Sequence, residues 1–253
     1  MTNLVRPAPI EPVLVRTSAR SQTLAWLVHL YTATGVLAAF FGTLAAIEGG
    51  YRESFLWMIT ATLVDASDGV FARLARVKEV LPGFDGARLD DIVDYLTFVF
   101  LPVLLLYYAG NLPDGWGGLV ASVVLLSSAY GFGSTDAKTC DHFFTGFPSY
   151  WNIVALYLHV AGMSPVVNAL ILVGLSVLVF VRIGYVYPSR TPVLRTVTIL
   201  GGLAWGALLV VVVLALPEKR TGLLAISLVY PAYYVVLSLA LQMRRRPSLP
   251  AHS

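Results

Sequence analysis

The chain has 253 residues, of which 57% are hydrophobic and only 12% charged, with a net charge of +3. That charged share is about half of what a soluble globular domain carries, so the composition excludes such a domain and points to an all-α polytopic membrane protein. The single cysteine, Cys140, excludes an intramolecular disulfide. The net charge is too small to suggest a nucleic-acid partner, and its distribution along the chain says more than its size.

Residues 1–21 are expected to form a cytosolic N-terminal arm. Pro7, Pro9 and Pro12 interrupt any helix before residue 13. Two readings stand for the rest of the arm: Val13 to Arg20 lies along the membrane surface with its Arg side chains near anionic headgroups, or the arm is disordered. The first twenty residues contain no apolar core of secretory length, so no cleavable signal is expected. About 20 apolar residues cross the hydrocarbon layer as a helix. By that measure residues 22–243 form a membrane domain with about eight spans, near 23–47, 53–76, 86–109, 115–133, 150–163, 165–184, 195–216 and 222–242. The fifth is short and ends at Gly162 and Pro165. Residues 244–253, beginning with three arginines, read as a cytosolic tail. With an even number of spans both termini share one side. That side collects most of the Lys and Arg, against only Arg52, Lys219 and Arg220 on the other. The bias places the termini, and the acidic ends of the second and third spans, in the cytoplasm.

Those two spans carry the chemistry. From Asp65 they read D-A-S-D-G-V-F-A-R, then twelve residues, then G-A-R-L-D-D-I-V-D. Asp65 and Asp68 are three apart, and Asp90 and Asp94 four apart, so each pair shares one helix face. Ionisable groups in apolar, membrane-length segments are costly and by default functional. Gly69, Ala72 and Gly86 are small residues on or beside these faces and are expected to leave room between the two helices. Four carboxylates meeting in a low-dielectric site repel one another, and a divalent cation relieves that. Oxygen-only ligands suit Mg²⁺, Mn²⁺ or Ca²⁺ better than Zn²⁺. One or two clamped ions with a carboxylate base are what phosphoryl-type transfer needs. Asp85-Gly86-Ala87-Arg88 imitates the start of the motif without its second half, and Asp91 points off the acidic face.

The pattern D-x2-D-G-x2-A-R…G-x3-D-x3-D resembles the signature of the CDP-alcohol phosphotransferase family. These are integral membrane enzymes that move a phosphatidyl or related group from a CDP-linked donor to an alcohol and release CMP. The matching positions are Asp65, Asp68, Gly69, Ala72, Arg73, Gly86, Asp90 and Asp94. The resemblance implies metal ligation by Asp65, Asp68, Asp90 and Asp94, with Mn²⁺ or Mg²⁺ as cofactor. It also implies contacts to the CDP pyrophosphate by Gly69, Ala72, Arg73 and Gly86, and Asp94 as the catalytic base. The usual gap between the Arg and the second Gly is eight residues; here it is twelve. The longer gap is similar to that of bacterial phosphatidylcholine synthases, which use CDP-diacylglycerol and choline in the inner membrane. A homodimer is the family expectation.

Two further stretches bear on that likeness. His29 to Gly35, H-L-Y-T-A-T-G, resembles the opening helix of the same enzymes, where a Thr is expected to bond the cytidine. Close packing of small residues is the competing explanation. Ser134 to Asn152 is too polar to span yet rich in aromatics. Aromatic faces bind quaternary ammonium groups, and Asp141, His142, Phe143, Tyr150 and Trp151 are the candidate choline contacts. An interfacial aromatic belt is the alternative. The four His are scattered, and His142 alone is expected near the site. Arg190 and Arg195 read either as phosphate contacts or as positive-inside anchors. Serine, glycerol 3-phosphate and inositol phosphate remain as other acceptors, and a carboxylate-lined transporter as the reading from another class.

Overall fold

A computed structural model describes residues 18–134, 143–181, 184–186 and 194–244. The readings placed on residues 1–17, 135–142, 182–183, 187–193 and 245–253 lie outside the described residues, among them Asp141, His142 and Arg190.

All eight expected spans contain helix, and the fold class is all-α. The first helix, α1 (Ala19–Ile47), begins four residues before the apolar run because Ser18 caps it, accepting from the Ser21 amide at 3.2 Å. Helix α2 (Tyr51–Leu74) comes after a tight Gly49-Gly50 turn in which Gly49 takes φ +81°. The twelve-residue gap folds as a single helical turn, α3 (Val77–Val80), entered through Arg76 in the left-handed region. The third span is one rod in three parts: α4 (Gly86–Asp94), a π-helical stretch (Tyr95–Phe100) and α5 (Leu101–Tyr108). Pro102 accounts for the π stretch. Its ring has no N–H and crowds the carbonyl four residues back, and the wider turn just before it relieves that clash, with the Leu101 amide donating to Leu96 O.

The remaining helices are α6 (Gly117–Gly133), α7 (Trp151–Ala161), α8 (Pro165–Phe180), α9 (Arg195–Leu214), α10 (Thr221–Ser227) and α11 (Val229–Arg244). Two boundaries differ from expectation. The sixth span ends at Phe180 rather than 184. Gly184–Val186 (β2) instead pairs antiparallel with Phe143–Thr145 (β1), which makes a three-residue ladder in the otherwise helical described chain. The last span is interrupted at Leu228. Four helical segments are long and apolar enough to cross a membrane: Ala19–Ile47, Tyr51–Leu74, Arg195–Leu214 and Thr221–Leu241. Helix α7, with 11 residues, reaches only about 16 Å and is largely buried against its neighbours. Leu63, Leu119, Leu126, Leu170, Leu203 and Val236 stand exposed around the bundle. Such an outer surface suits hydrocarbon rather than water, and this is a multi-pass membrane protein.

Close contacts set the register of the first three rods. A Cβ on Gly42 would stand 2.7 Å from Leu101 Cδ2, one on Gly86 would stand 2.6 Å from His29 Cε1, and one on Gly35 would overlap Val93. The pairs 29–86, 35–93 and 42–101 advance together, so α1 runs parallel to the α4–α5 rod. Helix α2 runs antiparallel to both, as Thr32–Asp68 near one end and Phe41–Trp57 near the other require. Gly35→Ala drives a methyl into Val93, and overpacking of this kind costs about 1–3 kcal/mol. A lowered melting temperature in detergent is the expected readout.

Candidate active site

The acidic faces of α2 and α4 meet where α1 packs across them. Asp65, Asp68 and Asp90 each bring a carboxylate oxygen to within 4.8 Å of the other two. Two oxygens bound to one Mg²⁺ stand at most about 4.2 Å apart, twice a bond of ~2.1 Å, so small side-chain adjustments close this set around a cation. The donors are all carboxylate, with no His or Cys, and this fits a hard divalent ion. Asp94 lies outside this trio. It is half-buried, one turn beyond Asp90 on α4 and at the entry to the π stretch. Asp91 is exposed, off the acidic face. Asp85 has a local task as the N-cap of α4, its Oδ1 accepting from the Arg88 amide at 3.1 Å.

Asp68 is the buried member of the trio, 7% exposed, and the Thr32 hydroxyl of α1 donates to its Oδ2 at 2.8 Å. One residue earlier on both helices, Tyr31 OH meets Ser67 Oγ, also at 2.8 Å. Ser67 gives its own proton to Leu63 O at 2.7 Å, so Tyr31 is the donor in that pair. Thr32 is therefore committed to the acid cluster, a partner that the helix's own sequence did not indicate. Arg73 folds back so that its Nη1 stands 3.3 Å from where a Cβ on Gly69 would be. Ala72 is half-buried. The place a side chain on Gly86 would take is filled by the His29 ring rather than left open.

His29 is the histidine that sequence reasoning missed. It is 6% exposed, lies one turn before Thr32 on α1, and packs against Phe84 with ring centroids 4.5 Å apart. Phe84 also meets Trp26 edge-on at 5.2 Å. The end of the twelve-residue connector is thus pinned to α1 directly beside the acidic cluster. The i, i+3 spacing of His29 and Thr32 was a readable signal, but only once Thr32 is known to face the acids.

The aromatic segment divides. Phe143 lies in β1, and Tyr150 is half-buried at the N-cap of α7. Trp151 is 1% exposed within the core, its Nε1 donating to Ser128 Oγ at 2.7 Å and its ring edge-on to Phe147 at 5.0 Å. Its faces are taken up by packing, so its evident task is to anchor the segment. Next in the chain, Asn152 Nδ2 stands 3.4 Å from Thr62 Oγ1 on α2, one turn from Asp65. The segment therefore ends on α2 one turn from Asp65. Trp151→Ala is expected to cost about 3–5 kcal/mol through the cavity it leaves, and thermal unfolding in detergent measures that loss independently of any change in acceptor KM.

No family model matches the chain. Curated relatives do. The phosphatidylcholine synthase of Pseudomonas aeruginosa is 34% identical over 228 residues, which cover 90% of this chain and 96% of the relative. That of Legionella pneumophila is 38% identical over 222 residues, covering 85% and 87%. That of Borreliella burgdorferi is 33% identical over 227 residues, covering 88% and 96%. The chain belongs to the phosphatidylcholine synthase family. As a member it is an enzyme, a transferase of phospholipid biosynthesis, and the likeness spans both acidic helices and the aromatic segment.

Proposed function

We propose that this enzyme transfers the phosphatidyl group of CDP-diacylglycerol to choline and releases CMP at the acidic cluster of α2 and α4. The convergence of the Asp65, Asp68 and Asp90 oxygens within 4.8 Å, on the residues of the motif, carries this reading. A Mn²⁺ or Mg²⁺ ion held by these three would neutralise the pyrophosphate and the charge that builds on the leaving phosphate. Asp94, one turn away, accepts the proton of the choline hydroxyl. The hydroxyl oxygen forms the new bond to the lipid-bearing phosphorus as the bond to the CMP oxygen breaks. Arg73, folded over Gly69, offers a guanidinium fork to the phosphates. Asp141, His142, Phe143 and Tyr150 are the proposed surroundings of the quaternary ammonium, with Trp151 fixing the segment that carries them. Charge neutralisation and positioning supply most of the rate, as is usual for such transfers.

The site opens to the cytoplasm of the bacterial inner membrane in this reading. The start of α1, the end of α2, the start of α4 and the start of α9 share one end of the bundle, with Arg20, Arg73, Arg76, Lys78, Arg88 and Arg195. The opposite end has Arg52, Lys219 and Arg220, offset by Glu48, Glu53, Asp114 and Glu218. Basic residues of short loops stay on the cytoplasmic side. The family likeness is the support for a homodimer.

The deciding assay supplies purified full-length chain with CDP-diacylglycerol, Mn²⁺ and one acceptor at a time. CMP release with choline, and not with serine or glycerol 3-phosphate, is the expected result. Release with serine or glycerol 3-phosphate in place of choline would reassign the acceptor. No release with any of them would remove the transferase reading.

A further inference from the structure

We propose that Thr32 of α1 is a positioning residue for the metal-binding carboxylates, so that the cluster is built by three helices rather than by the two that carry the acids. This rests on the reading of Asp65, Asp68 and Asp90 as cation ligands. A helical Thr ordinarily returns its hydroxyl proton to the carbonyl four residues back. Here that carbonyl, Val28 O, is 3.4 Å from Thr32 Oγ1, while Asp68 Oδ2 is 2.8 Å away. The proton is spent between helices. Both residues are 7% exposed, so water does not compete for the bond.

A carboxylate has two oxygens, and an unrestrained one turns freely between ligating with either or both. The bond to Oδ2 restrains that rotation and fixes how the Asp68 carboxylate is presented to Asp65 and Asp90. Thr32 is itself held on two sides. Tyr31 donates to Ser67, so consecutive residues of α1 bond consecutive residues of α2. On the other side, the bare Cα of Gly35 lets α1 press against Val93 of α4. Any sliding of α1 would break both contacts, so the hydroxyl is delivered to Asp68 at a fixed height. Partners of this kind, one bond removed from a metal, typically change its affinity by roughly 10- to 100-fold when removed.

The test titrates Mn²⁺ alone into the full chain in detergent and tracks free Mn²⁺ by electron paramagnetic resonance. Thr32→Val keeps the shape and removes the hydroxyl; Thr32→Ser keeps the hydroxyl and removes the methyl. The expected result is a Mn²⁺ affinity weaker by roughly 10- to 100-fold in Thr32→Val, restored near the parent value in Thr32→Ser, with melting temperature recorded for both. Thr32→Ala repeats the comparison should Thr32→Val not fold. Parent-like affinity in the hydroxyl-free variants overturns the proposal, as does equal weakening in Thr32→Ser. Asp68→Ala separates the two ideas. If it binds Mn²⁺ as the parent does, the ligand reading of Asp68 is at fault and the role of Thr32 falls with it. If Asp68→Ala loses the ion while Thr32→Val retains it, only the role of Thr32 is wrong.

Discussion

Asp94→Asn is expected to lower turnover by roughly 10²- to 10⁴-fold, the range that a positioned general base contributes, while leaving Mn²⁺ binding in place. The structure gives a reason to expect the two to separate. Asp94 stands one turn beyond the three carboxylates proposed to hold the cation, so an amide there would remove the proposed proton acceptor without removing an oxygen from the cluster. The measurement is CMP release under saturating CDP-diacylglycerol and choline, paired with a Mn²⁺ titration of the same sample. Substantial turnover in the variant would take the base role away from Asp94. Loss of Mn²⁺ binding along with turnover would make it a fourth ligand instead.

Asp65→Ala is expected to act on the other half of the site. It deletes one of three mutually close oxygens, and the remaining two cannot hold a hard ion against water with the same strength. Because outer partners already cost roughly 10- to 100-fold, loss of a direct ligand should exceed about 100-fold in activity. Raising Mn²⁺ should recover part of the rate in Asp65→Ala but none in Asp94→Asn. A metal dependence unchanged from the parent would show that Asp65 is not a ligand.

The features readable from sequence are those governed by local rules. Apolar runs mark every span, because a helix in hydrocarbon must be apolar along its length. Spacings of three and four put Asp65 with Asp68, and Asp90 with Asp94, on single faces. The features that escape such reading are set by neighbours distant in the chain. Thr32, in a run of small residues, reads first as close packing and second as a ligand contact; its bond to Asp68 depends on how α1 crosses α2. His29 is one of four scattered histidines in sequence, yet the absent side chain of Gly86, 57 residues later, makes its niche. Gly86 suggests space for substrate, and the His29 ring takes that space. Trp151 falls among the aromatics suited to choline, because composition does not reveal that Ser128 accepts its indole proton. The four extra residues of the connector are visible as a number, but their folding into α3 and the insertion of Phe84 beside His29 are not.

The π-helical stretch after Asp94 has a bearing on how this rod evolved and on how it can be altered. A π turn is an α-helix with one residue too many, and each residue turns an α-helix by about 100°. The acid-bearing half, Gly86–Asp94, is therefore clocked against the buried half, Leu101–Tyr108, by that single surplus position. Losing one residue between Tyr95 and Phe100 would turn Asp90 and Asp94 away from Asp65 and Asp68, and with them Gly86 and Val93 away from α1. The proposed chemistry of Asp90 and the packing of α1 on α4 thus depend together on the length of an apolar segment.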